Sequence, residues 1–125
     1  MKKTQKSRNF LESLGYAFTG IRAVAARERN FKIQIIMGIL AIIACIIFRV
    51  DAMQFALVAF AIFFVLAMEL MNTAIEAVVD LATGGKPHPL AKIAKDAAAG
   101  AVLLSSIFAV VVAGVVAMAV VRRFL

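Results

Sequence analysis

A chain of 125 residues that is 64% hydrophobic, with a mean hydropathy of +0.99, carries more apolar side chain than a soluble domain of this size normally holds. Its net charge of +7 is clustered, with eight of the fourteen Lys and Arg in residues 1–32. The composition points to a bilayer and speaks against a nucleic-acid partner, and the single cysteine, Cys45, leaves no intrachain disulfide or cysteine-based metal centre and reads as a packing residue.

In chain order, Lys2, Lys3 and Lys6 suit attraction to anionic lipid. The first 30 residues lack the apolar centre of a cleavable signal peptide, so the apolar spans are expected to persist in the mature protein. Residues 9–27 predict an amphipathic helix, with Phe10, Leu14, Ala17, Ile21 and Val24 at three- and four-residue steps, lying in the membrane interface and weakened at Gly15 and Gly20. The cluster Arg27-Glu28-Arg29-Asn30 then meets the first span, residues 31–48. A short turn over residues 49–52 makes the first two spans an antiparallel hairpin, and the second span covers residues 53–81. Gly84, Gly85, Pro87 and Pro89 stop it. A third helix, residues 90–121, carries Lys92, Lys95 and Asp96 in its first turns, then no charge until Arg122. Ala109, Ala113 and Ala117 form a small-residue ridge suited to close helix packing in lipid.

The expectation is an all-α membrane protein of one domain, an N-terminal amphipathic surface helix followed by three transmembrane helices per subunit. The positive-inside rule puts the N-terminus and the loop at Lys86 in the cytoplasm of a multi-pass cell-membrane protein; Arg122 and Arg123 run against it.

The second span ends in Glu69-Leu-Met-Asn72-Thr-Ala-Ile-Glu76-Ala-Val-Val-Asp80. On a helix the four polar side chains share an arc of roughly 80° and a length of about 16 Å. Ionisable groups in a membrane span are costly and tend to be functional. Five of the seven acids, Glu28, Glu69, Glu76, Asp80 and Asp96, fall at one proposed membrane surface. Carboxylates beside an amide suit Mg²⁺ with phosphates, Lys86 and Lys95 can neutralise phosphate oxygens, and a deep Glu69 suits a general base facing an alcohol near the headgroups. These are parts for phosphoryl transfer. The chain has no P-loop and no Gly-x-Gly-x-x-Gly, so a nucleotide site would be of another kind.

Other readings stay open on the residues alone. The stripe could be hydrogen-bonding glue in a noncatalytic assembly subunit, or Glu69 the relay of a small proton-coupled transporter. Glu28 could pair locally with Arg27 or Arg29, Asp80 and Asp96 could be solvated helix ends, His88 a loop residue, and Tyr16 an interface aromatic.

The stripe, together with Ala94-Lys95-Asp96-Ala-Ala-Ala-Gly100-Ala101-Val102-Leu103, resembles the prokaryotic integral-membrane diacylglycerol kinase family. Gly15-Tyr16, Gly20-Ile-Arg22-Ala and Glu28 shortly before Phe31 extend the resemblance over nearly the whole chain. Arg29-Asn30-Phe31-Lys32 and His88-Pro89-Leu90-Ala91-Lys92 look like the Gram-positive branch, mainly undecaprenol kinases. The resemblance implies a homotrimer with active sites shared between subunits, Mg-ATP from the cytoplasm, and a lipid alcohol from the bilayer, undecaprenol first and diacylglycerol second. It implies Glu69 as catalytic base in contact with the substrate, Glu28 and Glu76 as metal ligands, and Asn72 in support. Lys95 and Asp96 would engage the nucleotide, with Tyr16, Lys86 and His88 around it. Many relatives carry Glu six residues after the metal-binding Glu28; here Gln34 stands at that point, where it would bear on lipid selection. The family's N-terminal ATP-contacting Arg aligns with Asn9, with Arg8 one step earlier, and that contact is not carried over.

Overall fold

A computed structural model describes residues 9–125 as four helices: α1 (Phe10–Arg27), α2 (Arg29–Ile47), α3 (Ala52–Thr83) and α4 (Pro89–Phe124). Lys2, Lys3, Lys6 and Arg8 lie outside the described residues. The fold is all-α, and α2, α3 and α4 are each long and apolar enough to cross a membrane. The 19 residues of α2 rise about 28 Å, close to the hydrocarbon thickness. The 32 residues of α3 rise about 48 Å, so one of its ends must leave the hydrocarbon; its polar residues make that the Thr83 end.

Helix α1 starts where Asn9 Oδ1 accepts from the Glu12 N–H at 2.9 Å, a side-chain cap on an otherwise orphaned donor. It runs unbroken through Gly15 and Gly20 and buries none of its residues. Phe10 and Phe18 are 75% and 67% exposed, the apolar surface an interfacial helix offers to lipid. A single residue separates α1 from α2: Glu28 is extended (φ −96°, ψ 112°), and its N–H still closes α1 on Val24 O at 2.8 Å.

The turn between α2 and α3 is fastened twice. Asp51 and Gln54 form a capping box, Gln54 N–H to Asp51 Oδ1 at 2.7 Å and Asp51 N–H to Gln54 Oε1 at 3.1 Å. Arg123, at the far end of α4, donates from Nη1 to Phe48 O at 2.8 Å and to Arg49 O at 3.2 Å. A guanidinium on the last carbonyls of a helix supplies both hydrogen bonds and favourable charge. This gives Arg123 a role that charge counting alone does not.

At its other end α3 stops on Gly84 (φ +62°), and Gly85 N–H reaches Asp80 O at 3.2 Å, the backbone closure that a left-handed residue permits. Pro89 then opens α4 at its first position, where a missing N–H costs nothing.

Helix α3 is the spine. Both α2 and α4 pack on it, while α1 touches α2 and α3. The buried core joins Cys45 of α2, Val58 and Ala61 of α3, and Val112 and Val116 of α4. Beside it Phe108 stands edge-on to Phe60 and Phe64, with ring centroids 5.8 and 6.2 Å away. Gly38 brings α2 close: a Cβ there would lie 2.8 Å from Ile62 Cγ2. On α4 the valines take the seam; Ala109 is half-buried against the core, whereas Ala113 and Ala117 are exposed.

Candidate active site

The buried residues of α3 are Val58, Ala61, Val65 and Glu69, at steps of three, four and four. The polar stripe is therefore the apolar seam continued: Glu69 is 5% exposed, Asn72 and Glu76 are half-buried, and only Asp80 emerges. Among the described residues Glu69 has no ion-pair partner. An acidic side chain packed at a helix seam without an ion-pair partner is costly, which makes the position a candidate for function.

One turn on, Asn72 Nδ2 donates to Glu76 Oε1 at 3.3 Å, which fixes the Glu76 carboxylate and leaves Asn72 Oδ1 buried and unpartnered. Thr73 Oγ1 and Gln34 Oε1 are likewise buried without partners. Three orphaned polar atoms among the described residues call for a ligand, a water or an ion.

Nearer the Thr83 end, a cleft of about 550 Å³ lies between the close of α3 and the start of α4, lined among others by Asp80, Lys86, His88, Lys92, Lys95 and Asp96. The volume is that of a small-molecule site. Lys95 Nζ pairs with Asp80 Oδ1 across the two helices at 2.7 Å, and Lys92 Nζ with Asp96 Oδ2 along α4 at 2.5 Å. Both pairs are solvent-exposed and therefore weak, so an incoming polyphosphate can compete for the lysines. His88 caps α4, with Nδ1 accepting from Leu90 N–H at 3.1 Å; in a neutral ring this bond puts the single N–H on Nε2.

Of the residues singled out in the sequence, Lys86, His88, Lys95 and Asp96 meet in this cleft, and Asn72 and Glu76 meet through their hydrogen bond. Gln34 lines a separate apolar groove with Gly38, Val65 and Ser106. Tyr16 is 61% exposed on α1 and does not line the cleft. Glu28 stands half-buried in the break between α1 and α2. Gly38 opposes Ile62, so ten residues along each antiparallel helix Glu28 comes about level with Asn72 and Thr73.

No group of three His, Cys, Asp or Glu side chains suited to a metal occurs among the described residues. An all-protein cage is thus not offered, but Mg²⁺ does not need one: it binds through one or two carboxylates plus phosphate oxygens and water. Glu76, held by the Asn72 amide, and Glu28 on the neighbouring break are hard oxygen donors of that kind. Two residues were not singled out by sequence reading, Thr73 and Arg123. Thr73 could have been found, since it lies one turn from Glu69 within the stripe; Arg123 acts on a turn 75 residues away, which no local pattern signals.

Residues 15–117 match the family described as prokaryotic diacylglycerol kinase. The chain is 46% identical to a diacylglycerol kinase of Synechocystis sp. over 110 residues, which is 88% of this chain and 63% of that protein. It is 37% identical to the undecaprenol kinase of Bacillus subtilis over 103 residues, 82% of this chain and 83% of that one. With the diacylglycerol kinase of Escherichia coli it shares 35% identity over 101 residues, 81% of this chain and 82% of the other. The chain thus spans less than two thirds of the Synechocystis protein but most of the other two. A family match across the polar stripe, the cleft and all three membrane-length helices, carried by relatives well above 30% identity, establishes that the chain belongs to the prokaryotic diacylglycerol kinase family.

Proposed function

We propose that the protein transfers the γ-phosphoryl group of ATP to the hydroxyl of a membrane lipid alcohol. The observation that carries this is the continuity of one seam: a buried Glu69 at lipid depth, then Asn72 and Glu76, then a cation-lined cleft where α3 leaves the membrane. A lipid hydroxyl arrives from the bilayer side and ATP from the water side, and the seam joins the two.

In this reading Glu69 is the general base. The proton of the lipid O–H passes to Glu69 as the alcohol oxygen bonds to the γ-phosphorus; the bond from phosphorus to the bridging oxygen breaks and ADP leaves. Glu28 and Glu76 would hold Mg²⁺, which when bound neutralises charge across the phosphates. Asn72 orients Glu76 through its amide. Lys95 exchanges Asp80 for a phosphate oxygen, and Asp96, Lys86 and His88 border the nucleotide in the cleft. Tyr16 would approach from α1, which touches α3. Reaction is then a matter of positioning and charge neutralisation, the requirements of phosphoryl transfer.

Undecaprenol is the substrate favoured by the His88-Pro89-Leu90-Ala91-Lys92 segment and by the Bacillus subtilis relative named undecaprenol kinase. Diacylglycerol is the second reading, favoured by the higher identity to the Synechocystis relative named diacylglycerol kinase. Gln34, a neutral side chain among the residues that line an apolar groove, would bear on that choice. The basic residues 2–32 support a cytoplasmic N-terminus, and the groove-lined faces left by one chain suit assembly as a homotrimer with sites shared between copies.

The test is a competition. Protein reconstituted with undecaprenol and diacylglycerol at equal mole fraction receives γ-labelled ATP with Mg²⁺, and the labelled lipids are separated. Undecaprenyl phosphate in excess is the expected result. Phosphatidic acid in excess selects the second reading, and label in neither lipid, where a related kinase labels one, ends both.

A further inference from the structure

Of the six helical Ser and Thr among the described residues, four share one pattern; Ser106 and Thr73 depart from it, and of these two only Thr73 has its hydroxyl buried without a partner. Ser13, Thr19, Thr83 and Ser105 each donate to a carbonyl three or four residues earlier, at 3.3, 2.8, 3.0 and 2.8 Å. That back-bond is what a helical Ser or Thr makes when nothing better is near. Thr73 Oγ1 is buried as well, yet it makes no hydrogen bond. Burying a hydroxyl without a partner costs free energy, so a position that keeps one is a position that expects one.

The location is specific. Thr73 lies one turn beyond Glu69 on α3, about 40° around the helix, which widens the polar arc to roughly 100°. Its neighbours in the stripe are all acceptors: Glu69, Glu76, and Asn72, whose Nδ2 is already given to Glu76 and whose free atom is Oδ1. Thr73 is therefore the unspent donor of the stripe. A lipid hydroxyl docked there has two needs, an acceptor for its proton and a donor for one oxygen lone pair. Glu69 meets the first and Thr73 the second, and the remaining lone pair stays free for attack on phosphorus.

We propose that Thr73 positions the acceptor alcohol, its Oγ1–H donating to the lipid hydroxyl oxygen so that the lipid O–H points at Glu69. This rests on the lipid-kinase reading above. Thr73 forms no bond to phosphorus and exchanges no proton; it sets the angle at which Glu69 finds the proton. Its contribution belongs to binding of the alcohol, not of ATP.

The experiment compares Thr73→Val, which keeps the shape and removes the hydroxyl, with Thr73→Ser, which keeps the hydroxyl, in the full chain in bilayers. Thr73→Val is expected to lower kcat/KM for the lipid alcohol roughly three- to tenfold, the size of one neutral hydrogen bond, with KM for Mg-ATP unchanged. Thr73→Ser is expected to restore it. If valine disturbs assembly, Thr73→Ala and Thr73→Ser at equal assembled fraction give the same contrast. Unchanged lipid kcat/KM in the hydroxyl-less variants, or a loss that falls on KM for ATP, overturns the role of Thr73 while the kinase reading stands. A wild-type protein that phosphorylates no lipid alcohol overturns both.

Discussion

Helix α3 presents one stripe to its neighbours, and the two halves of that stripe are made differently. Toward the Arg49 turn it is Val58, Ala61 and Val65, packed with Cys45, Val112 and Val116 and flanked by three phenylalanine rings. Toward Gly84 it is Glu69, Asn72, Thr73 and Glu76, with two side-chain atoms buried and unpartnered. The helix and the spacing are the same; only the chemistry of the side chains changes. The apolar half holds the helices together, with Arg123 and the Asp51–Gln54 box closing its end. The polar half has unmet hydrogen-bonding capacity that packing alone does not explain. A scaffold and a site are thus built in series on one helix, and substitutions should separate them.

The largest separation is expected at Glu69. Glu69→Gln keeps size and removes the base, so lipid phosphorylation should fall by about 10²–10⁴-fold while helix content and assembly stay as in the wild type; circular dichroism and sizing in the same detergent check the second part. Asn72→Ala should follow, with roughly 10–100-fold loss of activity and a raised Mg²⁺ requirement, because Glu76 loses the amide that orients it. A magnesium titration of the variant reads this directly.

On the scaffold half the sign of the separation reverses. Gly38→Ala puts a Cβ 2.8 Å from Ile62 Cγ2 and should cost about 1–3 kcal/mol of stability, with KM for ATP unchanged. Pairing it with Ile62→Leu, which lacks that methyl, should recover part of the loss in a thermal or denaturant melt. The smallest effect is expected at Asp80→Asn. The exposed pair with Lys95 contributes little to stability, so the unfolding midpoint should not move, while KM for ATP should still rise with salt as the lysines of the cleft are screened.

The four helices were legible in the sequence because apolar periodicity, Gly84-Gly85 and Pro89 each have a local physical meaning. The observed limits of α2, α3 and α4 fall within a few residues of those read from the chain. The polar stripe was legible for the same reason, since it needs only the helical repeat. The partners were not. That Lys95 meets Asp80 and Lys92 meets Asp96 depends on how α4 returns along α3. Thr73 passed unnoticed because a threonine in an apolar helix looks ordinary until its hydroxyl is found without the usual back-bond. That Glu28 alone breaks α1 from α2 was hidden too, as no Gly or Pro marks the break.

The central claim is that the polar half of α3 carries phosphoryl transfer rather than ion flux or helix association. The most direct measurement supplies wild-type protein in sealed vesicles with one lipid alcohol at a time and γ-labelled Mg-ATP, following label in the lipid and proton movement together. Labelled lipid phosphate that depends on ATP, on Mg²⁺ and on the alcohol is expected, with no proton flux when ATP is left out. Proton flux without ATP, or ATP present and no lipid labelled, would contradict the claim.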